Sequence, residues 1–136
     1  MKILVITAHP DDVDFGAGGT VATWVSEGHE VEYCLVTDGQ AGGSDNTITR
    51  EEMARIRRQE QTAAANVLGV TELHWLGFPD GAVVPDLNLR REISAVIRIV
   101  KPDRVLTQSS ERRYDRIYAS HPDHLATGEA ALCAVY

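Results

Sequence analysis

Short apolar runs alternate along this chain with stretches of helical period. Lys2 to Ala8, built on Ile3-Leu4-Val5-Ile6, stops at His9-Pro10, the pattern of a short strand buried on both faces. Residues 9–16 then read as a loop. Gly18-Gly19-Thr20 is read as the opening of a helix that passes Trp24 and closes at Gly28. Val31 to Thr37 is a second apolar strand ended by Asp38-Gly39, and the Gly-, Ser- and Asn-rich residues 40–48 form a loop. Thr49 and Glu52 have capping-box spacing, so a helix is expected from there through Leu68, stopped by Gly69. Glu72 to Leu76 reads as a third strand, and 77–87, with its Gly, Pro and Asp, as a loop. Ile93, Val96, Ile97 and Val100 mark one face of a helix that Pro102 ends. Arg104 to Thr107 is a fourth strand. Ser109 to Ser120 is a charged loop without period, and 121–136 begins polar and finishes as an Ala-rich helix.

This order predicts one α/β domain over residues 1–136. It would be a Rossmann-like, mostly parallel sheet with helices on both faces and right-handed crossovers. Ligands of such sheets gather outside the carboxyl ends of the strands. The segments after the first and fourth strands therefore share the edge where chemistry is expected. The 136 residues suit one domain and not two. A net charge of -7 argues against nucleic acid as a partner, because phosphate binding needs a basic face. Arg50, Arg55, Arg57 and Arg58 are read as a solvated helix face. No apolar run reaches the ~20 residues of a membrane span, and the opening run is too short for a secretory signal. Cys34 and Cys133 make no disulfide framework. The compartment expected is the cytoplasm.

Two segments at the expected edge rhyme: His9-Pro10-Asp11-Asp12 and His121-Pro122-Asp123-His124. Each carries two metal-ligating side chain types three positions apart and a spare carboxylate. Zinc accepts imidazole nitrogen and carboxylate oxygen, and a catalytic zinc keeps one position open. His9 and Asp12 with either His121 or His124 supply two imidazoles and one carboxylate. Asp11 stands beside them as an acceptor for a water proton. The remaining histidine can donate a proton or stabilise an oxyanion, with Asp123 orienting it and holding it cationic. Taken singly, each segment is an ordinary turn whose Asp caps the next helix. Both at one sheet edge favour a metal site. His29, after the helix-ending Gly28, and His74, inside a strand pattern, are read as incidental.

These residues belong to a wider pattern. Ala8-His9-Pro10-Asp11-Asp12 with Gly16 and Gly18-Gly19-Thr20 is followed in order by Thr37-Asp38-Gly39, Leu68-Gly69-Val70 and Leu76-Gly77. Asp80-Gly81, Lys101-Pro102-Asp103 and His121-Pro122-Asp123-His124 complete it. The whole closely resembles the PIG-L/LmbE-like de-N-acetylase family. The resemblance implies a zinc-dependent N-deacetylase that hydrolyses a linear amide C–N bond. Its substrate would be an N-acylated amino sugar or glycoconjugate, such as an N-acetylglucosamine derivative. By position it makes His9, Asp12 and His124 the metal ligands, with Zn2+ or another divalent metal such as Fe2+. It makes Asp11 the general base and His121 the acid or oxyanion-stabilising group, with Asp123 behind it. Arg57 and Asp80 match substrate-binding positions; read alone, they are a surface helix charge and a turn residue.

The chain departs from the family pattern at Val13, where many members have Glu. The resemblance also implies more chain beyond the second motif, so the domain is expected to be truncated at its C-terminus. A sheet edge left open in this way would be filled by a complementary C-terminal segment or by a second copy in a homo-oligomer. Residues 40–48 and 109–120 are expected to rim the pocket. Three other readings compete. A two-histidine, one-carboxylate set also holds iron(II) in oxygenases. A metal- or sugar-binding fragment would not turn over. A nucleotide-binding module needs a GxGxxG turn directly after the first strand, and that position holds His-Pro-Asp-Asp.

Overall fold

A strand buried on both faces needs a layer of helices on each, and the computed structural model, which describes residues 1–136, shows both layers. The strands are β1 (Lys2–Thr7), β2 (Glu30–Thr37), β3 (Leu73–Phe78) and β4 (Arg104–Thr107). They alternate with α1 (Asp12–Ser26), α2 (Arg50–Val67), α3 (Leu87–Val100) and α4 (Pro122–Val135). All pairings are parallel, in the order β3-β2-β1-β4. This is the α/β architecture that the alternation predicts.

Side chains of successive strand residues point to opposite faces. Ile3, Val5, Tyr33 and Leu35 meet Val13 and Val21 of α1 and Ala65 of α2. Leu4, Ile6, Cys34 and Val36 meet α3 and α4 on the other face. There Leu89, Ile93, Val96 and Val100 form the buried stripe of α3, each worth roughly 1.5–3 kcal/mol of burial. Asp86 caps this helix by accepting the Leu89 N–H at 2.9 Å. The chain thus steps outward from β1 to β3 beneath α1 and α2. It then returns across the other face and lays β4 on the free side of β1. Strand order reverses between β1 and β4, the place where such sheets open a crevice.

Two helix starts differ from expectation, and both bear on the site. Helix α1 begins at Asp12 and not at Gly18. Pro10 and a left-handed Asp11 (φ 79) turn the chain at once, and buried Val13 fixes the first turn to the sheet. Gly16, Gly18 and Gly19 lie inside the helix, so packing overrides a propensity cost of roughly 1 kcal/mol per glycine. Helix α4 begins at Pro122, a favoured first-turn residue because its missing N–H would have no helical partner. The second motif is therefore helical rather than a polar lead-in. The loop before it contains a single 3-10 turn, Ile117–Ala119. Further from the site, β3 runs on to Phe78 through a register shift opposite Leu35–Thr37. No helix is long and apolar enough to cross a membrane.

A candidate metal centre at the crevice

The first motif leaves the end of β1 directly into the crevice. The Ala8 N–H donates to Gln108 Oε1 at 2.9 Å, and Gln108 follows β4. The Gln108 Nε2 amide in turn donates to Asp12 Oδ2 at 3.0 Å. Asp12 also accepts the His9 N–H at 2.8 Å, so its carboxylate folds back over the turn. Asp11 occupies the N-cap position of α1 without capping it. Its carboxylate accepts from Arg57 Nη2 at 3.2 Å, and its N–H donates to Gln61 Oε1 at 2.6 Å. Aspartate is among the few non-glycine residues that visit the left-handed region as single residues, and these contacts hold Asp11 there.

The second motif is placed by α4. His121 is the N-cap, and its Nδ1 accepts the Asp123 N–H at 3.1 Å; a neutral ring then carries its proton on Nε2. Asp123 and His124 lie in the first helical turn. One turn beyond His124, Gly128 sits against the Gln108 carbonyl and the backbone of Ser109–Ser110, where any Cβ would collide. Only glycine lets α4 approach β4 this closely. That approach sets the depth at which His124 enters the crevice.

The two motifs meet. His9 Nδ1 lies 3.2 Å from His124 Nε2 and 3.5 Å from Asp12 Oδ2. Asp12 Oδ1 lies 3.1 Å from His124 Nε2. The other side of the His9 ring is backed by acid: Nε2 is 2.9 Å from Asp123 Oδ2 and 3.0 Å from Asp80 Oδ1. The His121 ring stands edge-on to His9, with centroids 4.9 Å apart. Donor atoms of His9, His121 and His124 fall within 4.8 Å of one another, as do those of His9, Asp80 and Asp123.

Electrostatics at the site are lopsided. Burial works against a charged His9, yet hydrogen bonds to Asp12 and Asp123 and the field of Asp80 outweigh it and raise the imidazole to about 9. Burial likewise opposes the charge on Asp12, but His124 and His9 hold its carboxyl well below the usual range. Asp123 is lowered against burial by His9 and by the Gly81 and Val83 N–H groups. Asp11 moves the other way: burial raises it, Arg57 pulls against this, and Asp12 adds to the rise. The cluster is short of positive charge, and a proton on His9 supplies part of it.

Asp123 differs from its expected placement. The resemblance puts it behind His121, but its carboxylate faces His9 and accepts the Gly81 N–H at 2.7 Å and the Val83 N–H at 3.2 Å. Only its backbone N–H reaches His121. The reason is the helical start at Pro122, which turns the Asp123 side chain inward, to 1% exposure. The arginine cluster is not wholly a solvated face. Arg58 lies 2.9 Å from Asp38 and covers the Trp75 ring. Arg57 turns to the site and donates to the Gly39 and Pro10 carbonyls at 3.1 and 2.9 Å. Its guanidinium rests against Gly39 and Gly42, where side chains would collide with it.

His9, Asp11, Arg57, Asp80 and His121 line one cavity of about 320 Å3, with Ala41 and Gly42 of the 40–48 loop at its rim. No residue of 109–120 lines it. Both Asp80 oxygens are engaged within the protein, one by His9 and the other by the Ala41 N–H at 3.0 Å. Gln61, Gln108 and Gly128 are site residues that sequence reasoning misses. An uncharged amide or a helical glycine has no signature in one chain, although the four-residue spacing of His124 and Gly128 is readable.

Known proteins share the sequence and fold of this chain. A diacetylchitobiose deacetylase of Thermococcus kodakarensis is 37% identical over 134 residues, covering 98% of this chain and 49% of that protein. A probable N-acetyl-alpha-D-glucosaminyl L-malate deacetylase of Bacillus cereus is 35% identical, covering 98% and 60%. The solved structure of N,N'-diacetylchitobiose deacetylase from Pyrococcus horikoshii, bound to an inhibitor, superposes with a TM-score of 0.92 at 36% identity, covering 98% of this chain and 49% of that one. The chain thus spans between about half and three fifths of these proteins. The model of the family described as PIG-L, GlcNAc-PI de-N-acetylase, matches residues 4–135 of this chain, a range that includes both of its His-Pro-Asp motifs. From its first strand to its last helix, the chain belongs to the PIG-L family of de-N-acetylases.

Proposed function

We propose that this protein is a metal-dependent hydrolase that removes the acetyl group from an N-acetylated amino sugar or glycoconjugate. One observation carries the reading. His9 Nδ1, His124 Nε2 and the Asp12 carboxylate converge at 3.1–3.5 Å across two distant motifs, beside a cavity that Asp11 and His121 line.

The residues fit a divalent cation. Two imidazole nitrogens face each other with a carboxylate between them, in a cluster where three further carboxylates outnumber Arg57. Asp123 and Asp80 back the far nitrogen of His9, the arrangement that fixes the tautomer and raises the basicity of a ligating histidine. His9, Asp12 and His124 would hold Zn2+, or Fe2+ in the same donor set, and the ion would supply Lewis acidity toward the amide carbonyl and water.

The remaining steps belong to the protein. Asp11, partly exposed and raised by burial, takes the proton of the attacking water at its carboxylate. His121 presents Nε2–H to the oxyanion that develops on the acyl oxygen. Return of the proton to nitrogen releases the amine and acetate. Arg57 and Asp80 form the wall where sugar hydroxyls would bind. The sugar specificity rests on the amino-sugar substrates in the names of the two curated relatives. Cytoplasmic action is part of the same reading, since the free thiols of Cys34 and Cys133 call for no oxidising compartment. A C-terminal segment or a second copy pairing with the outer edge of β4 would complete the sheet.

The test is release of acetate and free amine from N,N'-diacetylchitobiose and N-acetylglucosamine derivatives by the full-length protein, together with its metal content. One equivalent of bound metal and metal-dependent, anaerobic amide cleavage are expected. Oxygen consumption with no amine release would overturn the hydrolase in favour of an oxygenase. Metal binding without turnover on any N-acylated sugar would reduce the protein to a binding module.

A further inference from the structure

We infer that Gln61 is a positioning residue for Asp11, holding the backbone turn that aims the proposed base into the cavity; the inference rests on the function proposed above. Three observations converge. Asp11 is one of two non-glycine residues with positive φ in the chain, the other being Lys101, which merely closes α3. Asp11 also stands where an aspartate ordinarily caps its helix, yet its side chain makes no cap bond, so the carboxylate is left to face the cavity. Finally, the group that fixes this arrangement comes from another helix. Gln61 of α2 is only 2% exposed, and a buried amide must satisfy both its ends.

It does so on both sides of the turn. Gln61 Oε1 accepts the Asp11 N–H at 2.6 Å, and Gln61 Nε2 donates to Asp14 Oδ2 at 3.1 Å. The acceptor end must face a backbone N–H and the donor end a carboxylate, so the amide has one workable orientation. The side chain spans the first turn of α1 from its cap residue to Asp14 and locks φ at Asp11. Arg57, one turn before Gln61 on the same helix, holds the Pro10 carbonyl and the Asp11 carboxylate. Gln61 touches neither the cavity that Asp11, His9 and His121 share nor the metal-ligating atoms. Its influence on the reaction therefore passes through the aim of Asp11.

The experiment compares Gln61→Ala, Gln61→Glu and the double variant Gln61→Glu with Asp14→Asn in the full-length, metal-loaded enzyme. The double variant exchanges the chemical groups at the two ends of the Gln61–Asp14 bond and keeps the net charge. The carboxylate placed at position 61 still accepts from the Asp11 N–H, and the amide placed at position 14 donates to that carboxylate. Gln61→Ala is expected to lower kcat on the order of 10²-fold, the cost of a small misplacement of a reacting group, with KM and metal content per folded chain little changed. The double variant is expected to recover most of that loss, and Gln61→Glu alone is not. An independent readout is hydrogen exchange at the Asp11 amide in wild-type and Gln61→Ala protein. Slow exchange should become fast when the buried acceptor is removed.

If Asp11→Asn abolishes turnover while Gln61→Ala keeps full kcat per bound metal, the positioning role is wrong and the proposed function stands. If the double variant fails to exceed Gln61→Glu, or the Asp11 amide exchanges equally fast in both proteins, the positioning role is likewise overturned. If Asp11→Asn itself retains wild-type turnover, the base assignment fails, and this inference fails with it.

Discussion

Two clusters of histidine and carboxylate stand at opposite ends of the same sheet, and they are built to opposite specifications. At the amino ends of the strands, His74 Nε2 meets Glu32 at 2.7 Å, and Lys2 bridges Glu30 and Glu32 at 3.0 Å each. That cluster carries its own cation, and every acid in it has a partner of fixed charge. At the carboxyl ends, Asp12, Asp80 and Asp123 meet only imidazoles and N–H groups. The single arginine present is spent on Asp11 and on two carbonyls. The first cluster is complete as a structural network. The second has no cation of fixed charge among its three acids, and a proton or a metal ion would reduce its deficit. Contact distances are alike at the two ends, so a lysine among the acids at one end and none at the other separates a strut from a candidate site.

The sharpest way to break this comparison is to remove one imidazole from each end. His124→Ala should eliminate bound zinc and with it all amide hydrolysis, as judged by metal analysis of purified protein. His74→Ala should leave both metal and turnover intact. Equal metal loss in the two variants would show that the charge argument does not locate the site.

Next in size is Asp11→Asn. The variant keeps the ligand set and the contact with Arg57 but cannot accept a proton, so turnover should fall roughly 10²–10⁴-fold with metal content unchanged. Asp123→Asn should do the reverse. Its carboxylate accepts from His9 and from two backbone N–H groups, and an amide can accept only at one atom. A lost buried partner costs about 1–3 kcal/mol. Removing the carboxylate behind a ligating histidine typically weakens metal binding about 10–100-fold. Thermal melts and zinc titration would read both effects.

That contrast also marks how far the sequence was legible. The strands, their order of appearance and the layering of helices followed from apolar runs and one clear helical stripe, because burial on two faces leaves an unambiguous pattern. That His9 would meet the second motif followed from topology, since the loops after β1 and β4 lie at the same edge, whereas the choice of His124 over His121 came from the family resemblance. What the letters hid was the backbone beneath the two rhyming motifs. His9 lies before a left-handed turn, with Asp11 as cap and Asp12 opening α1. His121 is itself the cap, and Asp123 and His124 are already helical. The same His-Pro-Asp string is therefore shifted against its helix, which leaves Asp11 facing the cavity and turns Asp123 into the core behind His9. Helix glycines at 16, 18 and 19 also misdirected the start of α1, because packing of Val13 and Val21 outweighed local propensity. Gln61, Gln108 and Gly128 act through distant contacts that no local pattern encodes.

The smallest expected effect belongs to the complete cluster. Burial acts against the charge on Glu32, but His74 and Lys2 hold its carboxyl below the ordinary value of 4.5. A carboxylate depressed in the folded state stabilises fully above its unfolded pKa, and that stabilisation is lost as pH falls through the folded value. Glu32→Gln should therefore lower the melting temperature at pH 7, and the gap to wild type should close as the pH drops below about 4. Zinc content should not respond to this substitution at any pH in that series, because the side chains of Lys2, Glu30 and His74 share no partner with the far end of β1. A gap that persisted undiminished into acid would show that Glu32 acts through its packing rather than its charge, and the amino-end cluster would then no longer serve as the lysine-bridged counterpart of the crevice.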